Sequence, residues 1–197
     1  MEFDKVVYSR KSVRSFKDKK ASWKDVLEAV DAANQSPFAG NHNHIKFLII
    51  ENRENIEKIA EYAEQFWINE SGIVVVVCSD DTHLENLYGE RGRVYSRQQA
   101  GAAIQTFLLK LVDLGLSACW VGSYSDKLIR ELLKIPEDIQ VEAIIPVGYE
   151  KGRIGRRKKK ELENSLRWEL WNVKRRLTRF DAKELGGNRA LRKTKFF

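Results

Sequence analysis

The chain has 197 residues, 43% hydrophobic and 32% charged, enough for one domain with a real core and an appendage. Its net charge of +7 is unevenly placed: residues 1–150 carry 18 Lys/Arg against 23 Asp/Glu, and residues 151–197 carry 17 against 5. The body alone is thereby excluded as a nucleic-acid binder, and the positive excess of the last quarter has an anionic ligand, an acidic partner surface or nucleic acid to meet.

No apolar run follows Met1, so no signal peptide is expected, and no membrane anchor. Cys78 and Cys119 lie inside apolar runs. They read as buried thiols of a protein in a reducing cytoplasm, with a disulfide between them as the alternative.

Glu2–Ser9 can form a short helix with Phe3, Val6 and Val7 on one side. Arg10–Phe16 then alternates, and in an extended chain residues 10, 12 and 14 point the same way. Ser22, with Asp25 three residues on, opens a helix to Asn34, with Val26, Leu27, Val30 and Ala33 inward. Gln35–His44 is a loop by composition and Ile45–Glu51 a strand. Arg53–Phe66 is an amphipathic helix, and Ile73–Cys78 is apolar enough to be a central strand. Ser79–Gly92 is polar, with a helical turn at Leu84 and Leu87.

From Arg97 to Leu114 apolar residues fall on nearly every side, which marks a buried helix. Its Ala100–Ala103 start is small and its Phe107–Leu114 end bulky. Two such faces suggest a subunit core on one side and a partner subunit on the other; a core helix within a monomer is the alternative. Lys110 and Asp113 interrupt the run too soon for a membrane span. Gly115 closes the helix, Leu116–Gly122 reads as a short buried strand, and Ser125–Lys134 as a helix ended by Ile135-Pro136. Gln140–Gly148 is the last strand of the body, its Pro146 suggesting an edge or a bulge. This order argues a mixed α/β layer with helices covering a four-stranded sheet. The tail has five consecutive basic residues, Arg156–Lys160, and then a segment, residues 162–177, expected to be helical with Trp168 and Trp171 on one face.

No Gly-rich dinucleotide fingerprint, phosphate-binding loop, HExxH, CxxC or GxSxG elbow is present. His42 and His44 sit two apart in a loop, but no third ligand follows at a suitable spacing, so no metal site is expected. Three dispersed pieces stand out instead: Arg10-x-Ser12-x-Arg14, Pro37-x-x-Gly40-Asn41-x-Asn43, and Gly115-Leu116-x-x-x-Trp120-Val121-Gly122.

In that order around an Ala-rich helix, these pieces resemble the FMN-dependent nitroreductase family over roughly residues 3–160. The resemblance implies an α/β (α+β), three-layer fold with a mixed four- to five-stranded sheet and a homodimer with FMN at its interface. The body would span residues 1–155, and 156–197 would be a basic extension embracing the partner. It implies a reduced nicotinamide, NADH or NADPH, as hydride donor and a small acceptor such as a nitroaromatic or quinone. No side chain is expected to act as an obligatory acid or base, so no catalytic residue is assigned.

Arg10, Lys11, Ser12 and Arg14 would meet the FMN phosphate, completed by Arg156, Arg157 or Lys159. Asn41 would contact the flavin ring, with Asn43 also binding the cofactor from the rim of the expected pocket, and the backbone N–H groups of Val121 and Gly122 would face its reactive edge. Lys11 stands where the family often has Arg, and Asn43 where it has Gln. His44-Ile45 replaces a Pro-Trp pair at the rim of the expected pocket. Flavin fragmentation or reductive dehalogenation on the same fold, and nucleic-acid binding by the tail, are the alternatives.

Overall fold

A computed structural model describes residues 1–152 and 161–176. These fall into two compact units that divide after Ile154. The first is built from α1 (Phe3–Ser9), α2 (Trp23–Ala33), β1 (Ile45–Ile50), α3 (Arg53–Tyr62), β2 (Ile73–Asp80), α4 (Thr82–Tyr88), α5 (Glu90–Asp113), β3 (Ser117–Ala118), α6 (Asp126–Leu133) and β4 (Ile139–Gly148). Short 3-10 turns cover Ala39–Asn41 and Phe66–Glu70.

The sheet has four strands in the order β1-β2-β4-β3, and every ladder is antiparallel. Parallel pairing enters at the isolated bridge between Ser12 and Ala118. β2 is buried from Ile73 to Ser79 because helices cover both of its faces. Ile73, Val75 and Val77 meet Ala29 and Ala33 of α2 and Ile104 and Phe107 of α5. Val74, Val76 and Cys78 meet Ile56 and Ile59 of α3 and Ile129 of α6. The strand's two-residue period thus divides one apolar run between two cores, which makes a three-layer α+β body.

Several local expectations change. Pro146 lies inside β4, which is neither an edge nor irregular there; the bulge in the β2–β4 ladder falls between Val77 and Cys78. The Pro146 carbonyl accepts from the Cys119 N–H, so its donorless nitrogen faces the two-residue β3, where little ladder is lost. Leu27 of α2 is exposed, its inward place taken by Ala29. The helix expected to reach Phe66 ends four residues earlier, where Ala63 caps it and Glu64 takes a φ of 53°.

α5 is longer than its apolar run, with Gly89 separating it from α4. Gly92 lets the two helices touch: a Cβ there would lie 2.2 Å from the Leu84 carbonyl oxygen. Its buried residues form one stripe, including Gly92, Ser96, Gln99, Ala103, Phe107 and Leu111, while Val94 on the other side is 42% exposed. The helix that reads as apolar all round therefore has one covered face within the chain. Gly115, at φ 77°, closes it as expected.

In the second unit the expected helix is absent from residues 161–176. A 3-10 turn covers Leu162–Ser165, Glu169 takes a φ of 58°, and the Trp168 N–H donates to the Val173 carbonyl at 2.8 Å. Local turn bonds satisfy this backbone, and a short helix has little intrinsic stability to set against them. Trp171 is 86% exposed. Arg156, Arg157 and Lys159 lie outside the described residues.

Candidate functional site

The Arg10–Phe16 segment is held extended against the far edge of the sheet. Its Val13 N–H donates to the Ala118 carbonyl at 3.1 Å, next to the Ser12–Ala118 bridge. Farther along, the Glu70 carboxylate accepts from the Phe16 N–H at 2.9 Å and the Ser15 hydroxyl at 3.0 Å, which lowers its pKa. The Arg14 guanidinium lies 6.0 Å from the centroid of the Trp67 ring. Glu70 and Trp67 thus brace the segment, a role that nothing in their sequence neighbourhood announces.

Pinning the segment to β3 brings Ser12 and Arg14 beside the Cys119 thiol, on which the Arg10 charge also acts. Burial raises the pKa of that thiol against their influence, and burial also lifts Cys78 to about 11. Both cysteines are free and buried, so the disulfide alternative is not formed. With protonated, enclosed thiols, the native protein should react with Ellman's reagent at neither cysteine and at both after denaturation. A fast native reaction at Cys119 would show that the edge strand opens.

Three of the residues assigned to FMN are already engaged by the scaffold. Lys11 Nζ is 2.6 Å from a Glu150 carboxylate oxygen. The Val121 N–H donates to the Ile144 carbonyl at 2.9 Å, because the chain regains the sheet there, so it does not point outward. Gly122 is exposed, and a Cβ on it would meet nothing within 4 Å. Asn43 donates to Asn34 at 3.0 Å and accepts from the Ile45 N–H at 3.0 Å, which fixes the loop where β1 begins. Asn41 is exposed with a φ of 59°, beside Gly40 at the same φ.

The Asn41 loop is held by α5: Gln99 Oε1 accepts from the Ala39 N–H at 3.2 Å, and Ser36 donates to Thr106 at 3.0 Å. Tyr88 lies against it, for a Cβ on Gly40 would stand 2.9 Å from the Tyr88 hydroxyl. Tyr88 and Tyr95 meet edge to face at 5.3 Å. The loop and the two tyrosines thus come together.

The Arg10–Arg14 segment and the Asn41 loop are far apart in one chain. Ile45 is opposite Ser79 and Ser79 opposite Gln140, whereas Ala118 is opposite Val147. The strand positions they flank, Ile45 and Ala118, therefore lie at opposite edges of the sheet, about 14 Å across and about 24 Å along the strands. A cleft of about 590 Å³ lies elsewhere, lined by Lys17, Lys20, Glu51, Arg53 and Glu70 among others. It holds neither Ser12 nor Asn41.

The first residue of β1 lies opposite the end of β2, which brings a further group together. His42 and His44 precede β1, and His83 stands in α4 just after β2. The His42 and His83 rings are 4.1 Å apart, His44 and His83 5.1 Å. Burial is the main cause of a lowered His44 pKa, followed by the nearby His83. The third imidazole that sequence spacing did not supply is thus supplied by another element.

Residues 7–149 match the family model described as the nitroreductase family. The chain belongs to the nitroreductase family. A protein of Archaeoglobus fulgidus named for NADH dehydrogenase/NAD(P)H nitroreductase activity is 31% identical over 152 residues, 75% of this chain and 84% of that one. Among solved structures, an FMN-dependent nitroreductase from Clostridium difficile superposes with a TM-score of 0.72 at 20% identity, covering 84% of this chain and 98% of its own. An iodotyrosine deiodinase bound to FMN and 3-iodo-L-tyrosine superposes with a TM-score of 0.72 at 21% identity, covering 81% of this chain and 96% of its own. In this nitroreductase-family chain no described helix is long and apolar enough to cross a membrane.

Proposed function

We propose that the chain is an FMN-dependent oxidoreductase that takes hydride from NADH or NADPH and reduces a small, flat, electron-poor acceptor, working as a homodimer. The observation that carries this reading is the placing of the Arg10–Arg14 segment at the β3 edge by the Ser12–Ala118 bridge, four residues before the open Gly122, in a nitroreductase-family chain. Two guanidinium groups and a hydroxyl suit the dianionic phosphate of FMN, and an exposed glycine lets a flat ring approach the backbone. When bound, FMN supplies the hydride and electron-transfer chemistry, so the side chains need only bind, orient and exclude.

The diagonal distance between the Asn41 loop and the arginine segment favours a dimer. One flavin reaching both groups needs the loop of a second copy. The outer side of α5 suits that partner, since Val94 is 42% exposed and a Cβ on Gly101 would meet nothing within 4 Å. Residues 156–197, with Arg156, Arg157 and Lys159, form a basic extension that embraces the partner in this reading. The Asn41 loop, Tyr88 and Tyr95 bring amide and aromatic groups to the acceptor.

One open flavin face must serve donor and acceptor in turn. The purified yellow protein should be bleached by NADH or NADPH under anaerobic conditions, and with a quinone or nitroaromatic it should give parallel double-reciprocal lines. A bound flavin that neither nicotinamide bleaches would end the reductase reading and favour flavin fragmentation or dehalogenation.

A further inference from the structure

The chain has three histidines, and all three meet at one place. Each offers a ring nitrogen within 4.8 Å of the others. A tetrahedral zinc site with Zn–N bonds of about 2.0–2.1 Å needs nitrogens about 3.4 Å apart. The remaining gap is within the reach of small side-chain rotations. The Nε2 atoms of His44 and His83 are buried and have no hydrogen-bond partner among the described residues. Such atoms are costly to leave unpaired, and two of them in one cluster of imidazoles from different elements point to a ligand there.

A carboxylate also acts on two of the three imidazoles. Asp80 acts electrostatically on both His44 and His83, and it is fixed in place by the Thr82 N–H at 2.9 Å. Its negative charge favours a cation held by those imidazoles.

We infer that His42, His44 and His83 bind one divalent late first-row metal ion, Zn²⁺ by ligand type, through three imidazole nitrogens. Neutral imidazoles suit Zn²⁺, Cu²⁺, Ni²⁺ and Co²⁺ rather than Mg²⁺ or Ca²⁺, which prefer oxygen. Three protein ligands leave a fourth position for water or a small donor. The ion ties the loop before β1 to α4, beside Gly40 and Tyr88, and so sets the rim of the proposed acceptor pocket. The inference does not depend on the flavin reading, because ligands and geometry are all in this one chain.

The test is a Zn²⁺ titration of the flavin-bearing protein after dialysis against a chelator, with bound metal counted by elemental analysis. One ion per chain is expected, and His83→Ala should weaken binding by about a hundredfold, at least the upper cost of losing an outer-sphere partner. His42→Ala, in the loop and outside any helix or strand, should weaken it alike and covers the case in which a change in α4 impairs folding. Co²⁺ in place of Zn²⁺ should give the intense visible bands of a four-coordinate ion, lost in both variants. Wild-type protein that takes up no Zn²⁺, or variants that bind it as wild type does, would overturn the site. The flavin spectrum, read in the same samples, keeps this outcome separate from the fate of the reductase reading.

Discussion

Arg14→Ala should release FMN about ten- to a hundredfold more readily than the wild type. The Arg14 side chain is exposed, Trp67 and the Ser12–Ala118 bridge brace its surroundings, and its charge sits with Arg10 and Ser12 at the Cys119 edge. On the proposed reading, removing it leaves a phosphate charge without its forked partner, and a hydrogen bond to a charged group contributes about 1.5–3 kcal/mol. Fluorescence titration of the apoprotein with FMN measures this directly. Because Arg14 is exposed, the fold should survive, and the circular dichroism of the variant should match the wild type. Arg14→Lys should recover part of the loss, since it restores charge without the fork. An unchanged FMN affinity in Arg14→Ala would remove the residue from the site.

Phe107→Ala should be the most damaging single truncation in the body. Phe107 is fully buried where α5 meets the sheet, with its ring 5.6 Å from that of Phe47 on β1. Replacing a buried Phe by Ala costs about 3–5 kcal/mol in lost transfer energy and residual cavity. For a chain of this size that lowers the melting temperature by about 6–20 °C. Thermal denaturation of both proteins in the same flavin-bearing state provides the check. A drop of only a degree or two would mean that α2 and the sheet collapse into the space, and that α5 is less firmly held than its burial indicates. The affected helix also holds the Asn41 loop through Gln99 and Thr106, so flavin release should accompany the loss of stability.

The elements themselves were legible from local signals. Ser22 caps α2 through the Lys24 N–H at 3.2 Å, Gly115 closes α5, and the valines of β2 form the buried strand that their apolar run implies. These features depend on nearest neighbours and on period, which the sequence contains in full. The ordered pieces around Arg10, Asn41 and Gly122 likewise pointed to the family that the comparison with known proteins establishes.

What the tertiary structure alone decided is which groups meet and which are already engaged. The charge of Lys11 does not reveal that Glu150, 139 residues away, takes it up. The Val121 N–H is committed to Ile144 only because β4 returns beside it. The tail segment shows the reverse failure, where a helical pattern was readable but turn bonds about Trp168 and Val173 satisfied the backbone first.

The histidines show the division most plainly. His42 and His44 are two apart in sequence, yet His83 joins them through the antiparallel register that sets Ile45 against Ser79. The sequence determined the strands, the caps and the chemistry of each side chain, because those follow from local sterics and polarity. Strand pairing across intervening helices decided the sites, because long-range register is fixed by how two apolar faces pack and not by any residue's immediate neighbours.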